Sequence, residues 1–207
     1  VAFITTAMRA RNTVKEELVR QKAIELVVAS GIEGFSVNKL ARACGISVAT
    51  LYIYYRDKDD LLIKIAVEEA QRMTATMLAD FNPDLSFAEG LRQQWKNRAR
   101  FILENPDAAQ FLQLLHASSY QPQVHAAMVK DFQATMGQFM ANAVRRGEIN
   151  PMPLEVYWSV AFAPLYNLLR FHNEGRSLAG KPFVLTDAVL WQTFELVLKA
   201  LKKDPAP

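Results

Sequence analysis

Phe35-Ser36-Val37-Asn38-Lys39-Leu40-Ala41-Arg42-Ala43-Cys44-Gly45-Ile46-Ser47-Val48-Ala49-Thr50-Leu51-Tyr52-Ile53-Tyr54-Tyr55-Arg56-Asp57-Lys58-Asp59-Asp60 reads as two short helices joined by a tight turn. Ser36 caps the first by accepting from an amide near Lys39, with Leu40 and Ala41 facing inward and Asn38, Lys39 and Arg42 outward. Gly45 supplies the positive-φ residue of the turn, and Ile46 is the apolar residue that such a turn buries. Ser47 caps the second helix. Leu51 and Tyr55 then share one face, while Val48, Ala49, Tyr52 and Ile53 occupy others and Thr50 sits in the first turn. The pattern is a helix-turn-helix whose second helix is the expected reader of a DNA groove.

Working outward, the period is helical along the whole chain, with no alternating run or hairpin signal that would predict a sheet. An all-α protein of about nine helices is expected. The first helix spans about 14–30, with Leu18, Ile24, Leu26, Val27 and Val28 as apolar surface and Gly31 as its stop; Lys15, Arg20 and Lys22 are placed to approach a phosphate. A long helix follows from Lys58 to Asp80 or Phe81, ended by Asn82-Pro83. Further helices are predicted at 86–104, 106–120, 123–146, 153–174 and 186–202. Arg9–Thr13 and Lys202–Pro207 read as frayed ends, the former offering a basic arm. The division is a helix-turn-helix head at 1–57 and a helical domain at 58–207.

Phe35-Ser36, Leu40-Ala41, Gly45-Ile46-Ser47, Thr50-Leu51-Tyr52, Tyr54-Tyr55, Lys58 and Leu61-Leu62 resemble, in order, the DNA-binding signature of tetracycline-repressor (TetR) family regulators. The resemblance covers about 14–65, and Ala49 departs from the glycine that many relatives carry there. It implies an N-terminal three-helix head on a C-terminal ligand-binding and dimerisation domain. Carried over residue by residue, it makes Ser36, Val37, Thr50, Tyr54 and Lys58 phosphate contacts and Asn38, Val48, Ala49, Tyr52 and Ile53 base-edge or thymine-methyl contacts, with Lys39 among the DNA-binding set. The function it implies is a ligand-responsive transcriptional regulator, a repressor released from a palindromic operator by a small apolar or amphipathic effector. The alternative is a helical small-molecule carrier or interaction protein that does not bind DNA.

Charge distribution agrees with that reading. The chain of 207 residues carries +3 overall, but residues 1–56 hold eight Lys/Arg against four Asp/Glu, leaving −1 for the rest. A single cysteine, Cys44, excludes an internal disulfide and fits a reducing cytoplasm as a small core residue. No secretory signal is visible, and the apolar stretch 156–169 is too short to span a bilayer, so a soluble cytoplasmic protein is expected.

In the C-terminal part the bulky residues read chiefly as core. The family resemblance adds a ligand cavity, for which Trp95, Arg98, Ile102, Phe111, His116, Tyr120, Met128 and Phe132 are the lining set on converging helices. Arg98 is expected to meet an anionic group or to pair with Glu104. His125 and His172 show no partner in the sequence, and three scattered histidines with one cysteine give no metal-ligand spacing. Asp57, Asp59, Asp60 and the pair Glu68-Glu69 read as exposed acids at the start and side of a helix. No P-loop, dinucleotide fingerprint, nucleophile elbow or zinc-hydrolase helix is present, so neither catalysis nor a cofactor is expected. Homodimerisation is assigned to the last two long helices through the stripes Trp158, Phe162, Leu165, Leu169 and Trp191, Phe194, Leu198, packed as a four-helix bundle; the competing reading turns a stripe into the protomer core.

Overall fold

Helix formation follows the apolar spacing of the sequence, and the departures have local causes. A computed structural model describes the backbone of residues 2–203 and the side chains of 15–126 and 133–203. Among these residues there are ten helices, α1 (Ala2–Gly34), α2 (Val37–Cys44), α3 (Val48–Tyr52), α4 (Lys58–Met77), α5 (Phe87–Glu104), α6 (Pro106–His116), α7 (Gln121–Arg145), α8 (Leu154–Ala161), α9 (Ala163–Glu174) and α10 (Asp187–Leu201), and no strand. Two compact units result, one of Val1–Arg72 with Asp107–Met128 and one of Met73–Pro106 with Val129–Pro207. The first unit therefore extends past residue 57 and recruits a later segment.

In the first unit α1 is interrupted at Gly31, where φ is 71°, as the sequence predicts. It begins earlier than residue 14, so Arg9–Thr13 lie within it; their side chains are outside the described residues. Val19, Ala23, Ile24 and Val27 on α1 are buried, together with Phe35, Leu40, Leu51, Leu61, Leu62 and Ile65. Arg20 is not directed at a phosphate. It is bound by the carboxylates of Glu17 and Glu69, because Glu69 is itself buried and a buried charge requires a partner. Glu69 is thus an internal acid holding α1 to α4, not the exposed one predicted.

In the second unit a single core runs through Phe87, Leu91, Trp95, Phe139, Tyr157, Phe162, Leu165, Leu169, Phe194 and Leu198. Gly90 permits the contact of α5 with α7: a Cβ there would lie 2.3 Å from Cε2 of Phe139. The polar residues of α5 close the end of α4, whose last carbonyls have no intrahelical donor. The Gln94 side-chain amide donates to Met77 O at 2.9 Å, and Asn97 Nδ2 donates to Met77 O at 3.1 Å and Ala79 O at 2.8 Å. With Asp80 at φ 55°, α4 stops at Met77, short of Asp80.

The predicted helix 153–174 is two helices. Pro164 falls in the first turn of α9; it has no N–H and its ring clashes with the carbonyl four residues back, so α8 cannot run through and the chain bends at Phe162. Pro122 is accommodated in the same way inside the start of α7, which therefore begins at Gln121. His172, read as partnerless, accepts from the amide of Leu185 through Nδ1 at 3.1 Å. Lys202 forms a bridge with Ile149, and residues 204–207 lie outside the described residues.

Candidate nucleic-acid interface

The motif at 35–60 folds through its caps. Ser36 Oγ accepts from the amide of Lys39 at 3.3 Å, and Ser47 Oγ accepts from the amide of Thr50 at 3.1 Å. Between them Gly45 adopts φ 65°, ψ 31°, while Gly45 N donates to Arg42 O at 3.2 Å and Ile46 N to Ala41 O at 3.0 Å. This is the left-handed C-terminal cap that sets the angle of α2 to α3. Leu40, Ala41 and Leu51 are buried at the joint.

What remains outside is the surface available to a partner. Tyr52 is 51% exposed and Ile53 75%, and Asn38, Lys39, Arg42, Ala49, Tyr54 and Arg56 are exposed beside them. Ser36, Val48, Thr50 and Lys58 are half-buried. Thr50 Oγ1 is 2.9 Å from Ser47 Oγ, so its hydroxyl is part of the cap. Val37 is buried, and its place in the first turn of α2 leaves its backbone amide, not its side chain, as the group that can meet a phosphate. Lys58 Nζ donates to Ile32 O at 3.0 Å and Lys39 Nζ to Gly34 O at 2.8 Å; both ammonium groups close the carbonyl end of α1 as well as adding positive charge.

The start of α4 anchors this surface. Asp57 Oδ1 accepts from the amide of Asp60 at 2.8 Å, and Asp60 accepts from the amide of Arg56 at 3.0 Å. Arg56 and Lys64 complete the ring of donors at 3.2 and 3.0 Å. The backbone N–H of Arg56 first, and then Lys64, hold the Asp60 carboxyl down at about 2, against an ordinary 3.8. Because the folded protein holds this proton less tightly than the unfolded chain, the stabilisation is present above about pH 4 and is lost as the pH falls from there towards 2. Asp60→Asn is expected to flatten that limb: urea midpoints of parent and variant should converge towards pH 2 and separate at pH 5. A constant separation across the range would show that Asp60 acts only sterically.

A carboxylate, a phenol and a thiol in the same unit have structural roles. Tyr120 donates through its hydroxyl to Asp59 Oδ1 at 2.6 Å, and burial, with that bond, pushes its phenol up to about 12. Cys44 is half-buried, and burial raises its thiol, the reverse of what a reactive thiolate needs.

Residues 19–65 match the family model described as bacterial regulatory proteins, tetR family. Over nearly the whole length, the fold is that of a TetR family transcription regulator from Marinobacter aquaeolei VT8: TM-score 0.78 and 26% identity, covering 94% of this chain and 98% of that one. Residues 19–65 thus form a TetR-family DNA-binding head. An uncharacterized HTH-type transcriptional regulator of Haemophilus influenzae is 33% identical over 99 residues, 48% of this chain and 53% of that protein. The fatty acid metabolism regulator protein of Bacillus subtilis is 28% identical over 69 residues, 33% of this chain and 36% of the relative. The chain thus spans about half, or less, of the length of these two curated relatives. They are regulators, and the TetR family is not a family of enzymes.

Beyond the TetR-family head, the residues assigned to a ligand divide between the two units. Trp95 and Arg98 are fully buried and Ile102 half-buried in the second. Phe111 is buried, His116 exposed and Tyr120 bound to Asp59 in the first. The side chains of Met128 and Phe132 lie outside the described residues. Trp95 donates through Nε1 to Ala161 O at 2.8 Å. Arg98 does not turn to Glu104: it donates to the Tyr166 hydroxyl at 2.9 Å. Of the stripes assigned to a dimer, Phe162, Leu165, Leu169, Phe194 and Leu198 are core residues of the protomer. The helical spacing was right but the stripe faces inward, leaving Trp158 partly exposed and Trp191 half-buried. On α8 and α10 the large outward apolar residues besides Trp158 are Leu154, Val156 and Leu196, which sequence spacing alone does not separate from the core.

Proposed function

We propose that the protein is a ligand-responsive transcriptional repressor that binds a palindromic DNA operator as a homodimer, with the reading head in residues 1–57 and effector binding and dimerisation in 58–207. The observation that carries it is the capped helix-turn-helix with Tyr52 and Ile53 standing free of the core. An aromatic ring and a branched aliphatic group on an exposed face suit base edges and thymine methyl groups, and the surrounding amides, hydroxyls and cations suit phosphates. The regulators to which the chain is similar support this reading, and the name of the Bacillus subtilis relative supports an apolar or amphipathic effector. No described helix is long and apolar enough to cross a membrane, and a cytoplasmic site of action is proposed with the DNA target.

Selection of bound duplexes from a random pool tests the reading directly and should return a palindrome; a pool that stays random would reject it. On the selected operator, Tyr52→Ala is expected to lose ~1–3 kcal/mol of discrimination against single-base changes, whereas Arg56→Ala should weaken all duplexes to a similar extent. Dimerisation is assigned to the outward residues of α8 and α10. Leu196→Glu is expected to give folded monomers in sedimentation, with unchanged helix content and loss of the palindrome's cooperative footprint; a folded dimer would place the interface elsewhere.

A further inference from the structure

The interior of the second unit contains a positive charge among aromatic rings. Arg98 is fully buried. Its Nη1 donates to the Tyr166 hydroxyl at 2.9 Å and lies 3.0 Å from Met77 Sδ, and Nη2 donates to Gln94 Oε1 at 3.3 Å. Its guanidinium carbon is 4.1 Å from the Phe162 ring centroid and 5.0 Å from that of Trp158. Edge-on to Phe162 at 5.8 Å is Tyr157, 1% exposed, whose hydroxyl has no hydrogen-bond partner among the described residues. Phe162 is thus packed against both the guanidinium and the phenol ring. Buried polar groups are nearly always hydrogen-bonded, so an orphaned hydroxyl beside a buried cation asks for a specific acceptor.

We propose that Arg98 and Tyr157 together receive the carboxylate of an amphipathic monocarboxylic acid whose apolar part lies against Phe162 and Trp158. A planar guanidinium pairs with a carboxylate, and the tyrosine donates the second bond. The aromatic walls exclude a small hydrophilic acid by offering nothing to its remaining polar groups. Trp158 stacks on the cation and is itself 37% exposed, so solvent lies one side chain from the charge. Met77, which touches Arg98, is the last residue of α4, and α4 begins at Lys58 beside the reading helix. This assignment rests on the regulator reading above for its consequence at DNA.

The test uses sodium dodecanoate, with dodecanol and acetate as the same tail without charge and the same charge without tail. Binding is read by tryptophan fluorescence and thermal shift on the full chain. Dodecanoate should bind roughly tenfold or more tighter than dodecanol, as a charged hydrogen bond requires, and acetate should not register. Arg98→Lys should weaken dodecanoate and leave dodecanol unchanged. Tyr157→Phe keeps the packing and removes an unpaired hydroxyl, so the ligand-free protein should melt no lower than the parent while dodecanoate binding falls about two- to tenfold. Equal binding of dodecanoate and dodecanol, or a Tyr157→Phe variant that binds dodecanoate like the parent, overturns the proposal. Operator binding by the ligand-free protein is measured separately. Its absence would reject the regulator reading without touching the carboxylate site, whereas dodecanoate binding that leaves operator affinity unaltered would overturn the effector role.

Discussion

Phe162→Asp and Phe194→Asp should each abolish the cooperative unfolding of the second unit, not release folded monomers. Phe162 meets Tyr157 and Trp158 at ring separations of 5.8 and 5.0 Å, and Phe194 meets Trp95 and Trp191 at 5.4 and 5.7 Å. Removing such a ring costs about 3–5 kcal/mol in cavity and lost contact, and an uncompensated carboxylate in its place costs more. That is comparable with the whole stability of a domain of this size. Denaturant unfolding followed by far-ultraviolet circular dichroism and tryptophan fluorescence measures it; a variant that unfolds like the parent would show that these rings are not part of the core. The contrast with Leu196→Glu is the informative comparison, since the two substitutions sit two residues apart on α10.

That pair also shows what the sequence could tell. Helical spacing identifies an apolar stripe but not what it faces, because a protomer core and a dimer bundle require the same three-and-four periodicity. Phe194 and Leu196 are separated by burial alone. The helix-turn-helix was legible because its determinants are local: a hydroxyl three residues before the amide it caps, and a glycine at the left-handed position. Pro164 stands inside the stretch predicted as one helix, and whether a proline there bends or breaks the helix depends on whether the chain can turn at Phe162. The partners of Arg20, Glu69 and Tyr120 are remote in sequence, and that of Lys58 is a carbonyl that no pattern distinguishes. Arg98 was correctly read as inward, but that its immediate neighbours are Met77, Gln94 and Tyr166 could come only from tertiary structure.

Operator affinity is expected to fall roughly a thousandfold between 50 and 200 mM salt. Lys39, Arg42 and Arg56 are exposed around the reading helix, so the proposed dimer would bring about six cations to the duplex, and each phosphate neutralised releases counterions, for a slope of log affinity on log salt of roughly −5. Replacing Arg42 with Gln in both protomers should reduce that slope by about two while preserving the preferred base sequence. Fluorescence anisotropy across a salt series, with the selected operator and a scrambled duplex, provides the measurement. A flat salt dependence would mean that the duplex is held by something other than this face.

The first unit is assembled from two stretches, and the second, Asp107–Met128, supplies buried Phe111, Leu115 and Val124 and the Tyr120 hydroxyl that binds Asp59. During synthesis the reading helix therefore leaves the ribosome well before the residues that complete its own unit. At elongation rates of roughly 5–20 residues per second the delay between Arg72 and Met128 is several seconds, on the order of 3–10 s. For that interval the nascent head lacks part of its own unit, the condition in which exposed apolar surface is most prone to associate wrongly.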